Sequence, residues 1–217
     1  MAYLNGDDTL MRYKERMGDE LGELYNAIRS VAVSLQVKYQ KYESLFGSEK
    51  SVEALNKFAP GFFCYIQEIL FDDLILHISK MFDDHGKGDR KVLCFNCLLE
   101  KITEEELKKP LSQILAQCNE KRIFAKTRRN KYIAHNDYKL FLGKKEHDIS
   151  INFEDVREMM DLAWSIIDRI ESFYFNAYTV RHVYPTDLEF ERFFKNIRGF
   201  NAVGLKKIIE MGNCQNI

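Results

Sequence analysis

Residues 152–174 read NFEDVREMMDLAWSIIDRIESFY. Within them Val156, Met159, Ala163, Ile166 or Ile167, Ile170 and Tyr174 recur at steps of three and four. That is the period of one helix face, held for about five turns. Asn152 stands where an N-cap belongs, because its side chain can accept from an otherwise unpaired backbone N–H of the first turn. A helix with one apolar stripe needs other apolar stripes to bury it against, so this segment sets the fold class.

The same pattern continues upstream. Leu21, Leu24, Ile28, Val31 and Leu35 predict one long helix over about Thr9 to Phe46, ended by Gly47-Ser48. Pro60 suits the first turn of a second helix, with Phe63, Ile66, Leu70, Leu74 and Met81 on its buried face. A polar loop from Asp83 to Asp89 and a short apolar segment, Val92 to Leu99, follow. Thr103 and Glu106 have capping-box spacing for the next helix, which Pro110 kinks or restarts and which Leu111, Ile114, Leu115 and Cys118 continue. Tyr138 to Phe141 and Glu146 to Phe153 have the makings of a small hairpin, too little to carry a fold. Past Pro185, Thr186 and Glu189 mark a terminal capping box. The expectation is an all-α protein: an antiparallel up-and-down helical bundle over residues 1–180, with a short helical C-terminal extension over 181–217.

A chain of 217 residues can bury a real core, and its 46% hydrophobic and 30% charged residues are ordinary for a globular protein. The formal net charge of -1 gives no general attraction to nucleic acid, so any such argument must rest on a local cluster. Phe58 to Ile78 is the most apolar stretch, but Glu68, Asp72, Asp73 and His77 interrupt it, which predicts a core helix and no membrane partner. Met1 to Met17 carries no apolar signal region, so a cytoplasmic protein is expected. Five irregularly spaced cysteines (Cys64, Cys94, Cys97, Cys118, Cys214) argue against a disulfide framework. Cys94 and Cys97 form a lone CxxC without a second ligand pair; buried thiols are the first reading, redox or metal roles the alternatives.

The segment with chemistry is Arg128-Arg129-Asn130-Lys131-Tyr132-Ile133-Ala134-His135-Asn136-Asp137. From Lys121 to Lys131 there are six basic residues, Lys121, Arg122, Lys126, Arg128, Arg129 and Lys131, and no acidic one. On an α-helix Arg128 and His135 point almost the same way and Lys131 lies one turn below His135, while Arg129 points aside unless the helix loosens. Imidazole moves protons near neutral pH, and guanidinium groups grip phosphoryl oxygens. With RNA as substrate the 2′-hydroxyl is an internal nucleophile, so neither metal nor cofactor is expected. Asn136 is placed to orient ribose or phosphate, and Asp137 to orient His135 or cap a turn. A basic run at a helix C-terminus is also a common solvated face, and a histidine beside Ala-Ile is often structural.

Arg129-Asn130, four intervening residues and His135, followed by Asn136-Asp137, resemble the signature of the HEPN superfamily. The longer context, "RNKYIAHND", the upstream "FDDLILHISKMFDD" and the helix from near Phe153, resembles its abortive-infection branch, over roughly Leu21 to Tyr178. The resemblance implies a dimerising helical bundle whose motifs face one another in a cleft, and in many relatives a metal-independent ribonuclease of toxin–antitoxin, phage-defence or RNA-processing systems. Carried over, Arg129 and His135 are the expected catalytic pair, with Asn130 the polar residue beside the arginine. Arg128, Lys131, Asn136, Asp137, Arg122 and Lys126 are added as substrate-binding candidates from spacing and charge. The expected partners are RNA, a second copy and an antitoxin protein. Two other readings stay open: a non-catalytic RNA- or nucleotide-binding module, and a protein-interaction domain using aromatic residues such as Phe173-Tyr174-Phe175.

Overall fold

A computed structural model describes residues 6–84, 86, 92–134, 138, 142, 152–178, 181, 188–197 and 199. Its helices are α1 (Gly6–Met17), α2 (Asp19–Phe46), α3 (Glu49–Phe58), α4 (Pro60–Met81), α5 (Phe95–Lys101), α6 (Glu105–Lys121), α7 (Ile123–Arg128), a π-helical turn (Arg129–Ile133) and α8 (Phe153–Phe175). Residues 188–197 form a further helix, α9. Among the described residues there is no strand, and the protein is all-α as expected. None of the described helices is long and apolar enough to cross a membrane.

Several boundaries differ from the sequence reading, each for a local reason. The single helix expected over Thr9–Phe46 is two, because Gly18 adopts φ +83° and its N–H returns to the Lys14 carbonyl at 2.9 Å, closing α1. Helix α3 was not expected: only Leu55 of its ten residues is buried, so it carries no apolar period, yet Ser48 caps it by accepting from Ser51 N at 3.1 Å. The Thr103–Glu106 capping box does not form. Glu104 is the N-cap of α6, and its own carboxylate accepts from the Thr103 N–H at 3.1 Å. Asn152 does cap α8, in a reciprocal box with Asp155 at 2.9 and 3.1 Å. Of the hairpin segments, Asn152 and Phe153 cap and open α8 and Tyr138 is helical; the remainder lies outside the described residues, as does Thr186.

The chain divides into two compact units, Met1–Gln36 with Asp72–Arg181, and Val37–Phe71 with His182–Ile217. In the first, α6 lies along α8, and the core is built from Tyr25, Ile28 and Leu35 of α2, Leu74, Ile75 and Ile78 of α4, Leu107, Leu111 and Leu115 of α6, and the apolar stripe of α8. Each such side chain contributes roughly 1.5–3 kcal/mol on burial. Two polar clusters inside it are paired: Glu171 accepts from Tyr25 Oη at 2.9 Å and Arg29 Nε at 2.8 Å, and Trp164 Nε1 donates to Gln36 Oε1 at 2.6 Å. In the second unit Leu55, Phe63, Phe194 and Ile197 make a smaller core, flanked by Phe46, Phe190 and Phe193.

At the α1–α2 corner the backbones nearly touch. A Cβ built on Gly22 would lie 2.7 Å from Lys14 N and from Tyr13 C, both backbone atoms. Gly22→Ala is therefore expected to destabilise by about 1–3 kcal/mol, the usual cost of overpacking. Urea unfolding measures it, and an unchanged midpoint would mean the corner opens freely.

Candidate functional site

The candidate site lies in the first unit, where the segment around α7 meets the C-terminal end of α4. Helix α6 stops at Arg122, whose ψ of -5° bends the chain into the six-residue α7. Beyond Arg128 the hydrogen-bond ladder changes: the Ala134 N–H reaches back five residues to the Arg129 carbonyl at 2.8 Å. Such π turns are rare and occur often at functional sites. They insert one extra residue per turn, so the α-helical alignment of Arg128 with a residue seven further on does not apply here. The helix does loosen at Arg129. His135, Asn136 and Asp137 lie outside the described residues.

The basic cluster does not present a bare positive field. Lys121 pairs with Glu158. Arg122 is buried, donating to the Phe82 carbonyl and lying 3.4 Å from Asp84 and 3.7 Å from Asp83, so it fastens the end of α4. Arg128 Nε donates to Asp72 Oδ1 at 2.5 Å, and its guanidinium stands 5.7 Å from the Tyr132 ring centroid. Arg129 Nη1 donates to Asp83 Oδ2 at 2.7 Å, and its Nε to Asn130 Oδ1 at 3.1 Å. Lys126 and Asn130 are exposed, and Lys131 is half-buried.

Asp72 and Asp83 are thus the functional residues that reading the sequence missed. Their signal was present: they stand eleven residues apart in "FDDLILHISKMFDD", Asp72 within α4 and Asp83 two residues past its end. Each holds one arginine by one edge, with the Arg129 side chain 19% exposed. A guanidinium has five donors, and Arg129 uses Nε and Nη1, leaving Nη2 for an anion. The arrangement is a pair of guanidinium groups oriented by carboxylates, in the same stretch of sequence as His135. Among the described residues no group of three or more His, Cys, Asp or Glu is placed to hold a metal.

The HEPN_AbiU2 family model (AbiU2) matches residues 18–193. The chain belongs to the AbiU2 family of HEPN domains. The family match begins at Gly18, the residue that separates α1 from α2, and continues past Tyr178 to residue 193, beyond the span that the sequence motifs alone delimited. Both aspartates and both arginines of the AbiU2 chain's site fall inside it. No curated protein and no solved structure matches the chain.

Proposed function

We propose that this AbiU2-family chain is a metal-independent endoribonuclease of a phage-defence or toxin–antitoxin system, working in the cytoplasm. The observation that carries the proposal is Arg129 in the π turn, oriented by Asp83 and Asn130, six residues before His135 in the sequence. In this reading His135 serves as acid or base. A base removes the proton of the ribose 2′-hydroxyl, and O2′ attacks the adjacent phosphorus. The 5′-oxygen leaves with a proton from an acid, giving a 2′,3′-cyclic phosphate and a 5′-hydroxyl. Arg129, with Arg128 beside it, takes the charge that develops on the phosphoryl oxygens. Arg122 acts through Asp83 as a positioning residue. One chain carries one such His–Arg pair, so the complete site is proposed to form between two copies, with an antitoxin protein as a further partner.

The test is incubation of a mixed RNA pool in EDTA with the wild-type protein and with His135→Ala. The expected result is cyclic-phosphate and 5′-hydroxyl ends from the wild type alone. Equal cleavage by His135→Ala would overturn the proposal.

A second reading, a protein-interaction domain, is favoured by a different observation. Phe62, Tyr65 and Ile69 of α4 are 59%, 62% and 43% exposed, at helical spacing on a stretch whose only charge is Glu68. Intact RNA throughout, together with a stable dimer lost on Tyr65→Glu, would favour it.

A further inference from the structure

The CxxC segment left over from the sequence is built against the candidate site. Cys94 is the buried N-cap of α5, and the Cys97 N–H returns to its carbonyl at 3.1 Å. The two Sγ atoms stand 3.7 Å apart, and Cys97 Sγ donates to the Val92 carbonyl at 3.0 Å. The two residues between them grip the end of α4. The Phe95 ring packs on Phe82 with centroids 5.2 Å apart, and Asn96 Nδ2 donates to the Asp83 carbonyl at 3.0 Å. Asp83 in turn holds Arg129 and faces Arg122, which itself binds the Phe82 carbonyl.

We propose that Cys94 and Cys97 form a redox modification site, closed to an intramolecular disulfide by a peroxide, and that closure releases Asp83 and so the orientation of Arg129. The sulfurs need to approach by roughly 1.7 Å to reach bonding distance. Cys97 is the more accessible of the two, whereas burial pushes the Cys94 thiol up to about 12, keeping it protonated at neutral pH. Cys97 therefore reacts first. Its thiolate attacks one peroxide oxygen, the O–O bond breaks, and a sulfenic acid and hydroxide result. The Cys94 sulfur then attacks the Cys97 sulfur, the S–O bond breaks, and the Cys94 proton leaves with the departing hydroxide as water. Two thiols and one hydrogen peroxide give one disulfide and two waters.

Closure obliges Cys97 to give up the Val92 carbonyl and redraws the turn that carries Phe95 and Asn96. Disulfides within so short a loop are readily reduced, which suits a reversible control. The regulatory sense, oxidation lowering RNA cleavage, rests on the ribonuclease reading above. The chemistry and its structural consequence do not.

The test uses the full chain, reduced, then treated with equimolar hydrogen peroxide. Remaining thiols are blocked with N-ethylmaleimide in denaturant, and peptides are mapped by mass. A Cys94–Cys97 linkage, absent in Cys97→Ser and reversed by dithiothreitol, is expected. Hydrogen exchange of the oxidised chain is expected to be roughly three- to tenfold faster at residues 82–84 and 129–134, the effect of losing about one hydrogen bond. Residues 156–170 are expected to be unchanged. Two free thiols at 94 and 97 after peroxide, or linkage only through the exposed Cys64, would overturn the site. A disulfide with unchanged exchange at 82–84 would overturn the coupling. Neither readout involves RNA, so an inactive protein leaves both decisive.

Discussion

Arg129→Ala is expected to lower RNA cleavage by on the order of 10²–10³-fold, the effect of removing one pre-oriented donor from a developing oxyanion. Its cost in stability is expected to be small, about 1 kcal/mol or less, because the Arg129–Asp83 pair is partly exposed and Asp83 keeps Arg122 at 3.7 Å. Initial rates in EDTA on a short RNA, read beside thermal melts, separate the two effects. Arg129→Lys keeps the charge but has no second edge with which to hold Asp83 and a phosphate together, so it is expected to recover little of the rate. The companion variant Arg128→Ala decides which arginine is the principal phosphate ligand. Arg128 is tied to Asp72 and lies near the Tyr132 ring, so a smaller loss is expected there. Wild-type rates from a folded Arg129→Ala protein, with the loss in Arg128→Ala instead, would move the assignment by one residue.

The largest loss of stability is expected at Trp164. The indole is 2% exposed in α8, and its N–H donates to Gln36, itself 7% exposed, at 2.6 Å. Trp164→Ala leaves a cavity worth about 3–5 kcal/mol. It also orphans a buried amide oxygen, which adds about 1–3 kcal/mol. Against a total of about 5–15 kcal/mol, a combined loss of roughly 4–8 kcal/mol removes a large part of the stability and brings a protein at the low end of that range to the edge of folding. Trp164→Phe keeps an aromatic ring and removes the donor, so the difference between the two variants separates packing from hydrogen bonding. Trp164 is the chain's one tryptophan, so urea unfolding is best followed by far-UV circular dichroism rather than fluorescence. A Trp164→Phe midpoint equal to wild type would mean that Gln36 finds another partner at no cost.

The legible parts of the fold are those that depend on neighbours in sequence. The apolar stripe of α8 and the Asn152 cap lie within one another's reach along a single helix, and both are as read. Pro60 opens α4 for the same reason. Where two local signals compete, spacing alone does not choose between them. Thr103 and Glu106 had the right spacing, but the Glu104 side chain takes the Thr103 N–H first. The break at Gly18 is not legible in the apolar stripe, which begins only at Leu21, and periodicity does not register one positive φ.

The site divides along the same line. That Arg129, Asn130 and His135 stand together in a family motif was legible from types and spacing, and the AbiU2 match bears out the family. The charge environment was not. Asp83 and Arg129 lie 46 residues apart, and Asp72 and Arg128 lie 56 apart. A six-residue basic run with no acid in it reads as an open positive field only if nothing folds back against it. The π turn was equally hidden, since an i→i+5 ladder and an i→i+4 ladder use the same backbone groups and leave no mark in composition.

By itself the sequence determined the all-α class, the long helices with their apolar faces and the resemblance to the abortive-infection branch of the HEPN superfamily, and it offered a short list of candidate residues for phosphate chemistry. Each of these follows from residue type and from spacing along one element. Only the tertiary structure decided that α4 and the turn after it supply a carboxylate to each arginine, that Arg122 is a buried fastener, and that the CxxC turn grips the same end of α4. Ion pairs and hydrogen bonds depend on distance through space, and which elements are brought within 3 Å of one another is settled by packing the whole core at once.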